Sequence, residues 1–127
     1  MRANKQAQVI QEYIAAYNAF DVDGMLKLLS PEVHFENWSG AQITNEASGI
    51  DEFSQLAHQA KAMFSTREQR ITSLKHNADS VIVSIVYRGQ LAVDIPDGPR
   101  AGTMLDLNGE SEFAFKGHLI SNIVDRS

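Results

Sequence analysis

Acid–base chemistry in this chain depends on histidines and carboxylates, because the sequence contains no cysteine. The most suggestive pair is His34 and Glu36, which lie two positions apart in the alternating segment 33–37. Such positions share one face of a strand, so an imidazole and a carboxylate could exchange a proton there. Phe35 has the opposite parity and is the better candidate for the inward side. We therefore expect His34 and Glu36 to point away from the core.

No metal-binding motif is present in the sequence. The four histidines, at positions 34, 58, 76 and 118, are scattered and lack the i, i+4 spacing of a helical zinc site. The absence of cysteine also excludes disulfides, thiolate nucleophiles and thiolate-bound metals. The sequence thus predicts neither a metal site nor a cofactor.

Three helices are predicted in the first half of the chain. Apolar residues at three- and four-residue spacing predict a first helix over about residues 4–20. This apolar stripe consists of Ile10, Tyr13, Ile14, Tyr17 and Phe20. Asp21 is suited to cap a second helix. Ser30-Pro31 would end that helix, because the residue before proline disfavours helical dihedrals. Ser48 and Asp51 form a weak capping-box pattern at the start of a third helix.

The second half of the chain has the pattern of a sheet. After a first strand at 33–37 and a loop or short edge strand within 39–49, strands are expected at 67–76, 80–87, 102–116 and 118–125. Asn108-Gly109 could form a hairpin turn, but we favour a bulge inside one long strand. This order predicts an α+β protein with a single domain over residues 1–127.

Composition restricts the function classes. The 127 residues are 43% hydrophobic and 21% charged, which is typical of a globular protein. A formal net charge of −5 and eleven scattered basic residues disfavour nucleic acid as a partner. No apolar run is long enough for a membrane span, and residues 1–6 have no apolar signal core. We expect a cytoplasmic protein.

Three segments carry a resemblance to a known family: 9–24 (VIQEYIAAYNAFDVDG), 48–53 (SGIDEF) and 83–89 (VSIVYRG). With them the chain resembles the nuclear transport factor 2-like superfamily, in its SnoaL-like and ketosteroid isomerase-like branches. The resemblance implies a cone-shaped α+β barrel, in which a curved, mostly antiparallel sheet wraps around three helices and leaves a pocket. The hairpin around 91–108 is longer than in bacterial ketosteroid isomerase.

By position, the resemblance puts the isomerase tyrosine at Tyr13, the catalytic base at Asn37 and the oxyanion-binding acid at Ser111. Asparagine cannot accept a proton at neutral pH, and serine is a weaker hydrogen-bond donor than a protonated acid. Steroid isomerase activity is therefore not expected. The three residues remain the candidate catalytic set, able to bind a carbonyl or a hydroxyl.

A larger set is expected to form the ligand-binding wall: Tyr17, Phe53, Leu56, Val81, Val83, Ile85, Phe113 and Asn122. In the family register, Asn122 faces the cavity and Asp125 faces outward. SnoaL-like cyclases use an acidic residue late in the chain, and a one-residue slip would turn Asp125 inward instead. Trp38 fits either the cavity mouth or a subunit contact.

The outer face of the sheet is expected to carry Ile82, Val86, Leu105 and Leu107, an apolar set that a homodimer would cover. The leading hypothesis is a small-molecule-binding protein. As an enzyme it would be a cofactor-free lyase, isomerase or hydrolase for an apolar ligand with a carbonyl or hydroxyl. The alternative is a non-catalytic binding or dimerisation module, which the lack of an expected inward carboxylate or histidine favours.

Overall fold

The computed structural model describes residues 2–127, with side chains from residue 4 onward. Its elements are α1 (Arg2–Asn18), α2 (Val22–Leu26), β1 (Leu29–Ser39), β2 (Gln42–Ser48), α3 (Ile50–Ala62), β3 (Phe64–His76), β4 (Val81–Leu91), β5 (Met104–Lys116) and β6 (Leu119–Arg126). The predicted α+β class is confirmed. None of the helices in this part of the chain has the length and apolar character needed to cross a membrane.

The strands form one curved sheet in the order β2-β1-β6-β5-β4-β3. β1 and β6 run parallel, and every other neighbouring pair is antiparallel. The sheet is open, with β2 and β3 at its edges, so the expected barrel does not close. The helices contact the sheet mainly through β1, β2 and β3.

The N-terminal helices follow their sequence signals closely. The predicted stripe of α1 is buried at Ile10, Tyr13 and Ile14. Asp21 caps α2 as expected, since its Oδ1 accepts a hydrogen bond of 2.9 Å from the Gly24 backbone N–H. The C-terminal turn of α1 is fixed to β3 by two reciprocal bonds between Asn18 and the Gln69 backbone.

Two helix boundaries differ from expectation. α2 ends at Leu26, and Ser30-Pro31 lies within β1. Proline is tolerated there because the β1–β6 pairing is interrupted between Leu29 and His34, so no ladder hydrogen bond needs its missing N–H. Ser48 does not cap α3; the N-cap is Gly49.

Gly109 lies within one long strand, as predicted, but not at a bulge. The β4–β5 register is continuous through Ile85↔Gly109 and Val86↔Asn108. A Cβ atom at position 109 would stand 2.6 Å from the Arg126 carbonyl oxygen. Glycine is therefore required by the close approach of the end of β6 rather than by a positive φ angle.

The outer face of the sheet is less apolar than expected. Ile82 and Val86 are partly buried outside the cavity, but Leu105 and Leu107 line it. The register explains this, because Leu107 pairs with the inward Tyr87. The placement of the two leucines on the outer face was wrong.

Candidate functional site

A cavity of about 370 Å³ lies between the helices and the concave face of the sheet. Its apolar wall is formed by α1, α3 and the inward positions of β1, β4 and β5, with Tyr13, Phe35, Phe53, Leu56, Ile85 and Leu105 among the residues. Phe35 and Phe53 stack edge to face, 5.6 Å between ring centroids. This volume lies within the range of small-molecule sites.

A polar row crosses the floor of the cavity on three neighbouring strands. Asn37 of β1 pairs with Asp125 of β6, and Asp125 pairs with Ser111 of β5. All three residues line the cavity. The sheet register thus brings together two members of the candidate set and one carboxylate.

The inward position of Asp125 corrects the expected register of β6. Ile120 is inward and fully buried, as the family register requires. The β5–β6 pairing then shifts, from Phe115↔Ile120 to Ala114↔Asn122. This irregularity reverses the parity, so Ile123 and Asp125 face inward and Asn122 does not line the cavity.

Asp125 is held by Ser111, whose Oγ donates a hydrogen bond of 2.5 Å to Oδ1. Burial raises the pKa of the Asp125 carboxyl from 3.8 to about 6, and the Ser111 bond opposes this rise by stabilising the charged form. A carboxyl with such a pKa is present in both protonation states near neutral pH. That is the property of a general acid or base.

Three tyrosines stand in the cavity beside this pair. Tyr13 packs edge to face on Phe113, 5.8 Å between centroids. The Tyr17 hydroxyl donates to the Tyr87 hydroxyl oxygen at 3.2 Å. Burial raises the pKa of all three hydroxyls, so they remain protonated donors at neutral pH.

Arg67, near the start of β3, is a buried cation in the cavity wall, with 5% of its surface exposed. Its Nε donates to the Tyr17 carbonyl oxygen at 2.9 Å. Its guanidinium carbon lies 3.7 Å from the ring centroid of Tyr17 and 4.6 Å from that of Phe20. The last turn of α1 therefore fixes the position of this charge.

Asn37 lines the cavity, but its amide is already engaged. Nδ2 donates to Thr44 Oγ1 at 2.7 Å across the β1–β2 pair. The side-chain oxygen of Asn37 and its second Nδ2 N–H are left as groups that a ligand could use.

The structure places the sequence-predicted residues in two groups. Tyr13, Asn37, Ser111, Tyr17, Phe53, Leu56 and Ile85 line the cavity. Val81, Val83, Phe113 and Asn122 are not part of its lining. The first three of these are core residues with at most 1% of their surface exposed.

Sequence reasoning missed Arg67 and Tyr87 and placed Asp125 inward only as an alternative. For Tyr87 a signal existed, since it shares parity with Val83 and Ile85 along one strand. For Arg67 there was none, because its burial depends on α1, which docks from fifty positions earlier in the sequence.

One group outside the cavity has metal-ligating residue types. His34, Glu36 and Glu46 lie on the outer face of β1 and β2, with their ligand atoms within 4.8 Å of one another. His34 Nε2 is 2.9 Å from Glu36 and 3.4 Å from Glu46, so hydrogen bonding accounts for the cluster without an ion. The expectation that His34 and Glu36 point away from the cavity is confirmed.

Solved structures of similar fold cover nearly the whole chain. A candidate polyketide cyclase from Xanthomonas campestris pv. campestris superposes with a TM-score of 0.82 at 20% identity, over 98% of this chain and 90% of that one. A candidate SnoaL-like polyketide cyclase from Jannaschia sp. CCS1 gives 0.81 at 12% identity, over 96% and 84%. At these identities the likeness establishes the fold alone.

A third structure is a hypothetical protein with a ketosteroid isomerase-like fold from Catenulispora acidiphila, in complex with trimethylamine. Its TM-score is 0.75 at 17% identity, over 92% of this chain and 82% of that one. No curated protein matches the sequence.

The sequence model of the SnoaL-like domain matches residues 10–123, which include α2, α3, most of the sheet and most of the cavity wall, but not Asp125. Together with the shared fold, this match confirms the resemblance to the nuclear transport factor 2-like superfamily. The chain belongs to the SnoaL-like domain family.

Proposed function

We propose that this protein is an enzyme that moves a proton on a carbon atom next to a carbonyl group of an apolar substrate. The observation that carries the proposal is the Asp125 carboxyl inside the cavity, with a pKa raised to about 6 and a hydrogen bond to Ser111. The reaction class would be an isomerase or a lyase.

The chemistry needs a base and a group that stabilises the developing enolate oxygen. Ionised Asp125 would take the proton from the carbon atom, which leaves a carbon–carbon double bond and an enolate oxygen. The Tyr13 hydroxyl would donate a hydrogen bond to that oxygen. Protonated Asp125 would then return the proton to the same or another carbon atom. No cofactor is required for these steps.

The inward carboxylate changes the balance between the two hypotheses from the sequence. The alternative, a non-catalytic module, was supported by the expectation that no titratable group would face the cavity. Asp125 now supplies one, in the strand next to Asn37, where the isomerase resemblance expects the base. The candidate polyketide cyclases of the same fold are consistent with substrates that contain carbonyl groups.

The proposal can be tested with 2-tetralone, an apolar ketone with acidic protons next to its carbonyl. Exchange of these protons in deuterium oxide is followed by proton NMR. The wild type should accelerate exchange, and Asp125→Asn should reduce this acceleration by about 100-fold or more, because the base is lost. The matched control is Asp106→Asn, an exposed carboxylate on β5 with 69% of its side chain accessible.

The pH profile is a second readout of the same experiment. The exchange rate should rise with pH around a midpoint of about 6, as Asp125 ionises. Ser111→Ala should move the midpoint upward, because it removes the hydrogen bond that stabilises the carboxylate. Equal rates in wild type and Asp125→Asn, or no acceleration by the wild type, would contradict the proposal.

A further inference from the structure

Arg67 is a buried charge in the cavity for which the proposed proton transfer has no use. We propose that its guanidinium binds a carboxylate group of the substrate, so that the substrate is an apolar acid that also contains a carbonyl group. This inference rests on the proposed function for the carbonyl group only. The carboxylate site is tested by binding alone.

The hydrogen-bond partners of Arg67 leave most of its donors free. A guanidinium has five N–H groups, of which Nε–H donates to the Tyr17 carbonyl oxygen. An Arg67 donor also acts on the Tyr17 hydroxyl, where it lowers the pKa. No side-chain nitrogen or oxygen in this part of the chain is both sealed and unpartnered. The remaining N–H groups of Arg67 are therefore not sealed from solvent, and the residue itself lines the cavity.

The charge of Arg67 is likewise not neutralised by the protein. Within residues 4–127, no carboxylate lies within ion-pair distance of the guanidinium, whereas Arg126 and Arg88 each have such a partner. A buried charge without a counter-ion is costly. A substrate carboxylate would remove this cost, and its two oxygens match the planar fork of a guanidinium.

The guanidinium is also fixed in place before any ligand binds. The Tyr17 ring lies against it at 3.7 Å, and the Tyr17 carbonyl oxygen holds Nε. A preorganised donor pair loses little conformational freedom on binding, which favours selectivity for an anion.

Arg67 lies on β3 and Asp125 on β6, so β4 and β5 separate the two residues in the sheet. The charge of Asp125 raises and the charge of Arg67 lowers the pKa values of Tyr13 and Tyr17, so both charges act on these tyrosines. The pKa of Asp125 itself is set by burial and by Ser111. A substrate held by its carboxylate at Arg67 would thus extend past the tyrosines towards the base.

The test compares two probes of equal shape, 2-naphthoate and its neutral amide, 2-naphthamide. Binding to the wild type is measured by isothermal titration calorimetry at pH 8. The anion should bind about tenfold to a hundredfold more tightly, the range expected for a charge-assisted bond to a fixed guanidinium. Equal affinities, or no detectable binding of 2-naphthoate at millimolar concentration, would overturn the proposal.

Three variants test whether the preference for 2-naphthoate over 2-naphthamide depends on Arg67. Arg67→Met should abolish the preference for 2-naphthoate, and Arg67→Lys should retain part of it through charge alone. Arg70→Met removes an exposed charge from the same strand and should leave the preference unchanged. If Arg67→Met fails to fold, the wild-type comparison and the Arg67→Lys variant decide the question. An unchanged preference in Arg67→Met would overturn the assignment, and so would a lost preference in Arg70→Met. If Arg67→Met does not fold, an unchanged preference in Arg67→Lys would do so.

Asp125→Asn separates this inference from the proposed function. That variant lacks the proposed base but keeps Arg67, so it should bind 2-naphthoate at least as tightly as the wild type does. Failure of ketone exchange with retained anion selectivity would contradict the proton-transfer proposal alone. The reverse result would contradict the carboxylate site alone.

Discussion

Burial of Asp125 disfavours the charged form of its carboxyl, so its ionisation destabilises the folded protein. The pKa is about 6 in the folded protein, compared with 3.8 for an exposed aspartate. Because the pKa is raised in the folded protein, protonated Asp125 contributes its full stabilisation below about pH 4. This stabilisation is lost as the pH rises through about 6. The difference between these two pKa values corresponds to about 3 kcal/mol in the free energy of unfolding.

We therefore expect Asp125→Asn to be more stable than the wild type by up to about 3 kcal/mol at pH 7.5, since asparagine carries no charge. The difference should disappear at pH 4. Urea unfolding at a series of pH values, followed by circular dichroism, measures it. Asp106→Asn controls for the loss of a surface carboxylate and should show no such trend. A constant difference between Asp125→Asn and wild type across this range would contradict the raised pKa.

Only some of the residues of the site could be predicted from the sequence. Tyr13 and Ser111 were identified because the family resemblance fixes their positions in α1 and β5. Asp125 required the register of β6, which the irregularity near Ser121 reverses. No residue type in β6 predicts that irregularity. Arg67 required knowledge that the end of α1 covers β3.

At the scale of elements, the sequence predicted types better than boundaries. The helical stripe of α1 and the Asp21 cap of α2 are local patterns, and both are confirmed. β1 begins four residues earlier than expected and contains Pro31. Its tolerance of proline depends on a gap in pairing with β6, which is ninety residues away in the chain and leaves no local signal.

Substitution of Gly109 tests how closely β5 and β6 must pack beside the cavity. Gly109→Ala should destabilise the protein by about 1–3 kcal/mol, because the added Cβ meets the Arg126 backbone oxygen, which cannot rotate away as a side chain could. The free energy of unfolding in urea is the measurement.

Gly102→Ala is an instructive comparison, since nothing lies within 4 Å of its Cβ position but its φ angle is +89°. Its cost would be conformational strain in the β4–β5 connection, away from the site. Only Gly109→Ala should also disturb Asp125, because Arg126, which the added Cβ would meet, directly follows it in β6. The pH midpoint of ketone exchange should then change. An unchanged stability of Gly109→Ala would show that the end of β6 is free to move.

At the scale of the molecule, the remaining question is what covers the outer face of the sheet. Ile82, Val86 and Val124 are its partly buried apolar residues. Glu112 lies between Ile82 and Val124 in the register, and Arg126 pairs with Glu110 and Glu112 at 2.9 and 2.8 Å. Interfaces that are not obligate are about as polar as the rest of a protein surface, and a two-fold axis would bring two identical faces together.

We expect a homodimer at micromolar concentration, measured by multi-angle light scattering. Ile82→Lys should produce a monomer, because the interface would lose an apolar contact and the lysine ammonium would lose its hydration. Val93→Lys, in the connection between β4 and β5 with Val93 42% exposed, should remain a dimer. Because Leu105 and Leu107 line the cavity instead of this face, few apolar residues are left to hold two copies together. The single substitution of Ile82 should therefore be enough to separate them. A monomeric wild type would mean that the face is stable in water and that each cavity works alone.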